Sequence, residues 1–258
     1  MEEGDYLHIY RSLNSLEDLA EFDYPRGVLL AILTQKAVRI AKAQYRRVEA
    51  DADSLRELWS GGSPILAIAR AVGLPPVLTA SIILRGEGLS RRRVRALLRD
   101  PKRASGRLRE ELSEVVREDF VYSPWAHRLQ VERGRAGERV IAQWLSGLGL
   151  RFIPEGAGKG GGKTPDFLLE DPLPLEGLEV RWVESKASFG DRVEHKRYIE
   201  KQFAGYAGAF GPGMVVYWQG FLPAILPMMD QILVKDHTFF PEFRADLEPI
   251  LEPVIRAP

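Results

Sequence analysis

The sequence predicts an all-α domain with a helix-turn-helix unit at residues 1–124, followed by an α/β domain with a mixed sheet flanked by helices at residues 125–258. Between residues 26 and 118 apolar residues recur at helical spacing with Lys and Arg between them. Beyond the linker-like segment Val121–Trp125, short apolar runs alternate with two helical segments. Strands and helices in that order predict one layered α/β domain.

Composition excludes several classes of protein. An apolar fraction of 45% in 258 residues supports a buried core, and the lack of cysteine excludes disulfides and thiolate metal sites. The N-terminus is acidic, unlike a signal peptide, and no apolar run approaches the ~20 residues of a membrane span. We therefore expect a soluble, cytoplasmic protein without a membrane partner. Either a monomer or a homodimer is compatible with the sequence, which identifies no protein partner.

The N-terminal part predicts a series of helices. The first 24 residues show only short mixed segments, and a long helix is predicted over Arg26–Glu49. Ser63 as N-cap and Pro64 as first helical residue predict the start of another helix, which the turn glycine Gly73 separates from a helix ending near Leu84. This is the pattern of a helix-turn-helix, although any tight helical hairpin needs a turn glycine.

A basic block follows directly. Between Arg85 and Arg109 ten basic residues face two acidic ones, Glu87 and Asp100. Ser90 is predicted to cap the helix that carries the central arginines of this block: Arg91, Arg92, Arg93 and Arg95. Such a block can neutralise phosphates, so we expect a nucleic-acid partner, with DNA favoured. The alternative is a solvated helix face.

The C-terminal part predicts helices and short strands. The Pro-rich stretch after Leu169 predicts a connection, and Asp191 is predicted to be an N-cap. The last helix predicted before the linker is Gly106–Asp119. Beyond the linker the predicted helices are Gly134–Leu148 and Glu194–Gly208, and the predicted strands are Leu150–Ile153, Asp166–Leu169, Val180–Lys186, Met214–Trp218 and an edge strand at Gln231–Val234.

Charge inside the predicted strands points to a metal site. Glu184 and Lys186 interrupt an apolar run, where charge is costly unless it is paired, exposed or used to bind an ion. Strand side chains alternate, so both face one side, with the Ser185 carbonyl near the same place. We expect Asp166, Glu184 and the Ser185 carbonyl to bind Mg²⁺ or Mn²⁺. Lys186 would orient a water, lower its pKa or offset phosphate charge. A capping carboxylate and a surface ion pair are the alternative.

These residues resemble a known pattern. Pro165-Asp166 with Glu184-Ser185-Lys186 resembles the PD-(D/E)xK nuclease superfamily. The stretch from Lys163 to Phe221, including Thr164-Pro165-Asp166 and Trp182 to Asp191, looks like the TPD family of that superfamily. The resemblance implies a restriction-endonuclease-like fold and a divalent-metal nuclease.

The resemblance also implies roles for residues on the flanking helices. Glu138 matches the acidic residue of the first core helix, where it would contact the metal or orient Lys186. Gln202 and Tyr206 match a Gln-x-x-x-Tyr motif close to the active site, although both could simply hold their helix on the sheet. His195 is either a group that handles phosphate or protons or a structural histidine.

The glycine-rich loop before Thr164 carries Lys159 and Lys163, which we expect to contact phosphate. Its spacing approaches a nucleotide-binding P-loop, but Pro165 follows where a P-loop needs a helix, so we exclude ATP binding.

The sequence thus predicts a metal-dependent endonuclease that hydrolyses phosphodiester bonds in DNA, duplex or branched. The alternative is a catalytically inactive protein that keeps the nuclease fold and binds nucleic acid or acts as a scaffold. DNA and RNA are not distinguished by the sequence.

Overall fold

The computed structural model describes residues 1–156 and 164–255. Its helices are α1 (Glu3–Ser12), α2 (Arg26–Ala50), α3 (Ala52–Ser60), α4 (Ile65–Val72), α5 (Pro76–Gly86), α6 (Arg91–Arg99), α7 (Gly106–Glu118), α8 (Pro124–Gly147), α9 (Arg192–Tyr198), α10 (Ala204–Phe210) and α11 (Arg244–Leu251). Its strands are β1 (Phe152–Pro154), β2 (Phe167–Leu175), β3 (Leu178–Lys186), β4 (Gly213–Tyr217) and β5 (Ile232–Asp236). The α/β class and the mostly helical N-terminal part are confirmed.

The chain forms two compact units. One consists of Met1–Ile32 with Glu132–Val254, and the other of Leu33–Val131. The division falls inside α2 and α8, so each of these helices contributes to both units. Compactness is a different property from independent folding, so the domain division at residue 124 stays a prediction.

In the helical unit, α5 is the central helix and packs against α3, α4, α6 and α7. Gly73 takes a left-handed conformation (φ 66°) between α4 and α5, which are bent by 111°. The predicted cap at Ser63 is wrong, because α4 begins at Ile65 and its amide donates to Glu111 Oε2 (3.0 Å). The amide of Val77 at the start of α5 likewise donates to Asp119 Oδ2 (2.9 Å). Carboxylates on and after α7 therefore satisfy the first turns of both helices.

Within the described residues no single helix is long and apolar enough to cross a membrane, although α4 and α5 meet the length and composition criteria together as a bent pair.

Helix α8 begins ten residues before the predicted helix, so the predicted linker Val121–Trp125 is wrong in its second half. Ser123 Oγ accepts from the amide of Ala126 (3.2 Å), which makes Ser123 the cap and Pro124 the first helical residue. A proline there loses no hydrogen bond and already has a helical φ.

The sheet has the strand order β1-β2-β3-β4-β5, with the first three strands antiparallel and β3, β4 and β5 parallel. The predicted edge strand is confirmed as β5. The predicted Pro-rich connection is wrong, because β2 runs on to Leu175 and turns into β3 at Glu176 and Gly177, both with positive φ. Strand β1 pairs only with Phe167–Leu169, so the missing amide protons of Pro172 and Pro174 fall where β2 has an open edge.

Apolar cores cover both faces of the sheet. On one face, Val140, Ile141 and Leu145 of α8 pack against Val183 and Trp218. On the other face, α9 continues through a π-helical turn (Ile199–Phe203) into α10, so the helix predicted at Glu194–Gly208 is a broken one. Phe203 and Tyr206 of this segment pack against Trp182. From Trp182 onward the side chains of β3 alternate between the two cores, which places Glu184 and Lys186 on the α9–α10 side.

Helix α1 was not predicted and lies close to the sheet end. Tyr6 is buried, stacks on Phe189 with ring centroids 5.5 Å apart, and donates from its hydroxyl to Asp191 Oδ2 (3.0 Å). Asp191 caps α9 by accepting from the amides of Val193 and Glu194, as predicted.

Candidate active site

Asp166 and Glu184 are locked together by the main chain where β2 and β3 separate. The amide of Asp166 donates to Glu184 Oε2 (3.1 Å), and the amide of Ser185 donates to Asp166 Oδ2 (2.8 Å). Each carboxylate is thus held by the backbone of the other strand. Glu184 is almost fully buried at 2% exposure.

Lys186 lies on the same face of β3 as Glu184. Its Nζ donates to Glu184 Oε1 (2.5 Å) and lies 4.7 Å from the ring centroid of Tyr198 on α9. The carboxylate and the aromatic face together fix the ammonium group next to the carboxylate pair. Tyr198 was missed by the sequence analysis, although it precedes Gln202 by the same four residues that separate Gln202 from Tyr206.

Ser185 faces the opposite side of the sheet. Its Oγ accepts from Trp218 Nε1 (2.8 Å), and Trp218 in turn packs against Gly137 of α8, where a Cβ atom would lie 2.1 Å from that Nε1. The carbonyl of Lys186 accepts from the amide of Trp218 on the β4 side. Because neighbouring carbonyls of a strand point in opposite directions, the Ser185 carbonyl points toward β2, where Asp166 lies.

Tyr206 holds the start of the Asp166 strand. Its hydroxyl donates to the carbonyl of Thr164 (3.0 Å), two residues before Asp166. Gln202, one turn earlier, has a buried Oε1 for which the described part of the chain offers no hydrogen-bond partner. Tyr206 is therefore connected to the carboxylate pair through the backbone, whereas Gln202 forms no hydrogen bond with the pair among the described residues.

Glu138 lines a cavity of about 490 Å³ that Asp166 also lines. The cavity is lined by charged residues of α8, by Glu155 after β1, by Asp166 and by several apolar residues. The complete lining is Arg135, Glu138, Arg139, Ala142, Phe152, Pro154, Glu155, Asp166 and Phe167. Within the described residues Glu138 forms no ion pair with Lys186. Glu155 was also missed; its position directly after a predicted strand was the available signal.

Burial and the neighbouring carboxylates raise the pKa of two acidic groups of the site, Asp166 and Glu138. Burial and the nearby charge of Glu184 raise the pKa of Asp166 well above 3.8, against the opposing effects of the Ser185 amide and Lys186. Partial burial and Glu155 raise the pKa of Glu138. Burial, Glu184 and Asp166 raise the pKa of the Tyr206 hydroxyl, which stays protonated as a donor. Within the part of the chain that the structure describes, this centre therefore has more carboxylates than cations.

The donor set fits a hard divalent cation. Two carboxylates and a backbone carbonyl converge at the point where β2 and β3 separate, and Oδ1 of Asp166 accepts no hydrogen bond from the described chain. Oxygen ligands of this kind suit Mg²⁺ and Mn²⁺. Across residues 1–156 and 164–255, however, no three His, Asp or Glu side chains are grouped to hold an ion. A cation here would rest on Asp166, Glu184, the Ser185 carbonyl and water.

The remaining predicted residues lie elsewhere. Arg91, Arg92, Arg93 and Arg95 belong to the helical unit, and Lys159 and Lys163 lie outside the described residues. His195 is 1% exposed, and its Nδ1 lies 2.9 Å from the Tyr217 hydroxyl. Burial lowers its pKa to about 4, so it is a neutral structural histidine.

The fold and site define an α/β protein whose mixed sheet carries a carboxylate pair and a lysine at the point where two strands separate. Residues 104–238, just over half of the chain, match the family model described as "Protein of unknown function TPD sequence-motif". The chain belongs to this TPD family, and Thr164-Pro165-Asp166 lies inside the matched region. No solved structure matches the chain.

Curated relatives carry the name CDAN1-interacting nuclease 1. The human protein is 34% identical over 174 residues, 63% of this chain. The chicken protein is 30% identical over 89% of this chain and 88% of its own length, and the zebrafish protein is 30% identical over 83% and 74%. The match spans only 62% of the human relative.

Proposed function

We propose that the chain is a divalent-metal-dependent endonuclease of the PD-(D/E)xK superfamily, with a restriction-endonuclease-like core, acting on duplex or branched DNA. The observation that carries this proposal is the reciprocal bonding of Asp166 and Glu184 through each other's strand, with Lys186 on the same face. A structural ion pair between Glu184 and Lys186 needs no second carboxylate. The additional buried charge of Asp166 is unfavourable unless it binds a cation. The relatives' name, CDAN1-interacting nuclease 1, supports nuclease activity.

The chain's own residues have distinct tasks in this hydrolysis. Asp166, Glu184 and the Ser185 carbonyl would hold Mg²⁺ or Mn²⁺, which when bound supplies a more acidic water and stabilises negative charge on phosphate. Glu184 and Tyr198 hold the Lys186 ammonium in place, from where it orients the attacking water or offsets phosphate charge. Tyr206 fixes the backbone before Asp166. Glu138 adds an acidic group across the cavity.

The nucleic acid is held by α6 rather than by the second helix of the predicted helix-turn-helix. Only Arg85 is exposed on α5, and it pairs with Glu49 (3.1 Å). By contrast, five arginines of α6 are exposed and none pairs with a carboxylate in the described chain: Arg91, Arg92, Arg93, Arg95 and Arg99. No acidic residue stabilises the first turn of α6. Positive charge at that end of a helix is unfavourable unless an anion approaches.

The test is cleavage of labelled duplex, branched and single-stranded DNA by purified protein with Mn²⁺ or Mg²⁺. We expect cleavage of at least one substrate that EDTA abolishes and that Asp166→Asn and Glu184→Gln each reduce by about 100-fold or more. Asp171→Asn is the matched control, because Asp171 is an exposed carboxylate on β2, the strand that Asp166 immediately precedes. Cleavage that survives both site substitutions would assign the activity to a contaminant. Binding without turnover under any condition would favour the scaffold alternative.

A further inference from the structure

The cavity beside Asp166 is lined by two positively charged side chains that have no role in the proposed hydrolysis. Arg135 and Arg139 lie one turn apart on α8 and line the cavity together with Glu138 and Ala142, at the i, i+3, i+4 and i+7 positions of one helix face. Four residues advance a helix by about 6 Å, so both guanidinium groups reach the same opening.

Arg135 and Arg139 act on Glu138 through their charges, since both oppose the rise of its pKa, but neither arginine is held in an ion pair among the described residues. Glu138, Glu155 and Asp166 line the same cavity, yet no ion pair or hydrogen bond joins them to Arg135 or Arg139 in the described chain. Both arginines are exposed. Elsewhere the chain does pair its arginines, for example Arg107 with Glu111 and Arg197 with Glu194.

Charge balance indicates what these arginines bind. Among the described residues, four carboxylates surround the reaction centre, namely Glu138, Glu155, Asp166 and Glu184, and they face the one ammonium of Lys186. A divalent cation still leaves the centre negative, and such a centre repels a phosphate chain. The two guanidinium groups make the total positive. They are also the only hydrogen-bond donors of side chains among the described lining residues, since ionised carboxylates, Ala, Phe and Pro provide none.

We propose that Arg135 and Arg139 form a phosphate-binding subsite for the nucleotide next to the scissile bond. The guanidinium fork fits phosphate oxygens in two-point contacts, whereas the apolar wall of Phe152 and Phe167 offers no competing acceptor. This inference rests on the proposed nuclease function. It adds substrate-binding residues on α8 that neither the motif nor the family match assigns.

Steady-state cleavage of a short DNA with one cleavage position tests the subsite. We expect Arg135→Gln/Arg139→Gln to raise KM by about tenfold or more, since a hydrogen bond to a charged group contributes that much, with kcat changed by less than about threefold. The control is Arg151→Gln/Arg181→Gln, which removes the same charge from exposed positions outside the cavity. A KM that matches this control overturns the proposal.

Replacing single phosphates by neutral methylphosphonates locates the contact. In the wild type, neutralising the phosphate next to the scissile bond should weaken binding, and in the double variant the same replacement should have no further effect. Equal losses in both proteins overturn the subsite.

A wild type that cuts no substrate disproves the nuclease proposal alone. Fluorescence anisotropy with the same DNA pair in the Glu184→Gln background, with Ca²⁺ present, then decides the subsite. Loss of binding in the arginine variant supports it, and unchanged binding overturns it.

Discussion

Trp218 donates from its indole Nε1 to Oγ of Ser185 at 2.8 Å, on the face of β3 opposite to Glu184 and Lys186. The indole can lie there because Gly137 of α8 has no side chain. One glycine therefore determines how closely the helix that carries Glu138 approaches the strand that carries the lysine. The contact connects α8 to Ser185, whose carbonyl is one of the proposed metal ligands.

Gly137→Ala should destabilise the protein by about 1–3 kcal/mol, because the added methyl overlaps the Trp218 ring and forces the helix or the indole to move. Urea denaturation measures this change. Gly134→Ala is the matched control on the same helix, because a Cβ there meets nothing within 4 Å. It should stabilise the protein by about 0.5–1 kcal/mol through helix propensity. Equal effects at the two positions would show that the Trp218 contact does not constrain α8.

Adding Mn²⁺ or Mg²⁺ should raise the melting temperature by several degrees, because a cation relieves the repulsion between Asp166 and Glu184 in the folded state only. Thermal unfolding with and without EDTA measures the shift. Asp166→Asn should lose the metal-dependent part, and Asp171→Asn should keep it. An identical shift in all three proteins would place cation binding elsewhere on the surface.

Tyr206→Phe should reduce cleavage by more than its effect on stability explains. The hydroxyl fixes the carbonyl of Thr164 (3.0 Å), and its loss costs about 1 kcal/mol while freeing the backbone that aims Asp166. The control, Tyr217→Phe, removes another buried hydroxyl whose partner is His195. We expect similar stability losses from the two substitutions, measured in urea, but a larger fall in kcat for Tyr206→Phe. Equal kcat values for the two variants would show that the Tyr206 hydroxyl does not position Asp166 for catalysis.

The sequence located the central residues because their signal is local. Charge inside an apolar strand is costly wherever the strand lies, so Glu184 and Lys186 indicate a site without knowledge of the fold. The partners of these residues depend on packing and could not be found in this way. Trp218 is 33 positions from the Ser185 that it contacts, and Gly137 has the appearance of an ordinary helix glycine until the indole beside it is known.

The errors at element boundaries have similar causes. Ser123-Pro124 carries the same start signal that was used at Ser63-Pro64, but the cap forms at the former, whereas at the latter Glu111 replaces it from a distant helix. Pro172 and Pro174 argued against a strand, yet they are tolerated because β1 is too short to pair with that part of β2. In each case the deciding group lies outside the local window.

Lowering the pH below about 6.5 should destabilise the protein through His195. Burial lowers the pKa of this histidine from 6.5 to about 4, so its neutral form is the folded one. The stability is fully present above 6.5 and is lost as the pH falls toward 4, by up to about 3 kcal/mol. Urea denaturation between pH 7.5 and 4.5 measures this change.

The His195→Phe/Tyr217→Phe double variant removes the titrating group and its partner together, leaving no unpaired polar atom. Its stability should depend less on pH than that of the wild type. The same slope in both proteins would show that other groups control the acid sensitivity.

Neutralising the exposed arginines of α6 should weaken DNA binding and its dependence on salt. Each phosphate contact that is lost lowers the slope of log affinity against log salt by about 1. For the Arg91→Gln/Arg95→Gln variant we therefore expect the slope of log affinity against log salt to be smaller by about 2. Fluorescence anisotropy in the inactive Glu184→Gln background measures this slope. DNA sequence should have little influence, because contacts to phosphate carry no base information.

The control for this experiment is Arg103→Gln/Arg117→Gln, which removes the same net charge from exposed arginines that pair with Asp100 and Glu118. An unpaired arginine can bind a phosphate without losing another ionic interaction, whereas a paired arginine must first break its ion pair. The control should therefore retain most of the affinity and the full salt slope. If both variants lose the same affinity, binding follows the overall charge of the helical unit and α6 has no particular role.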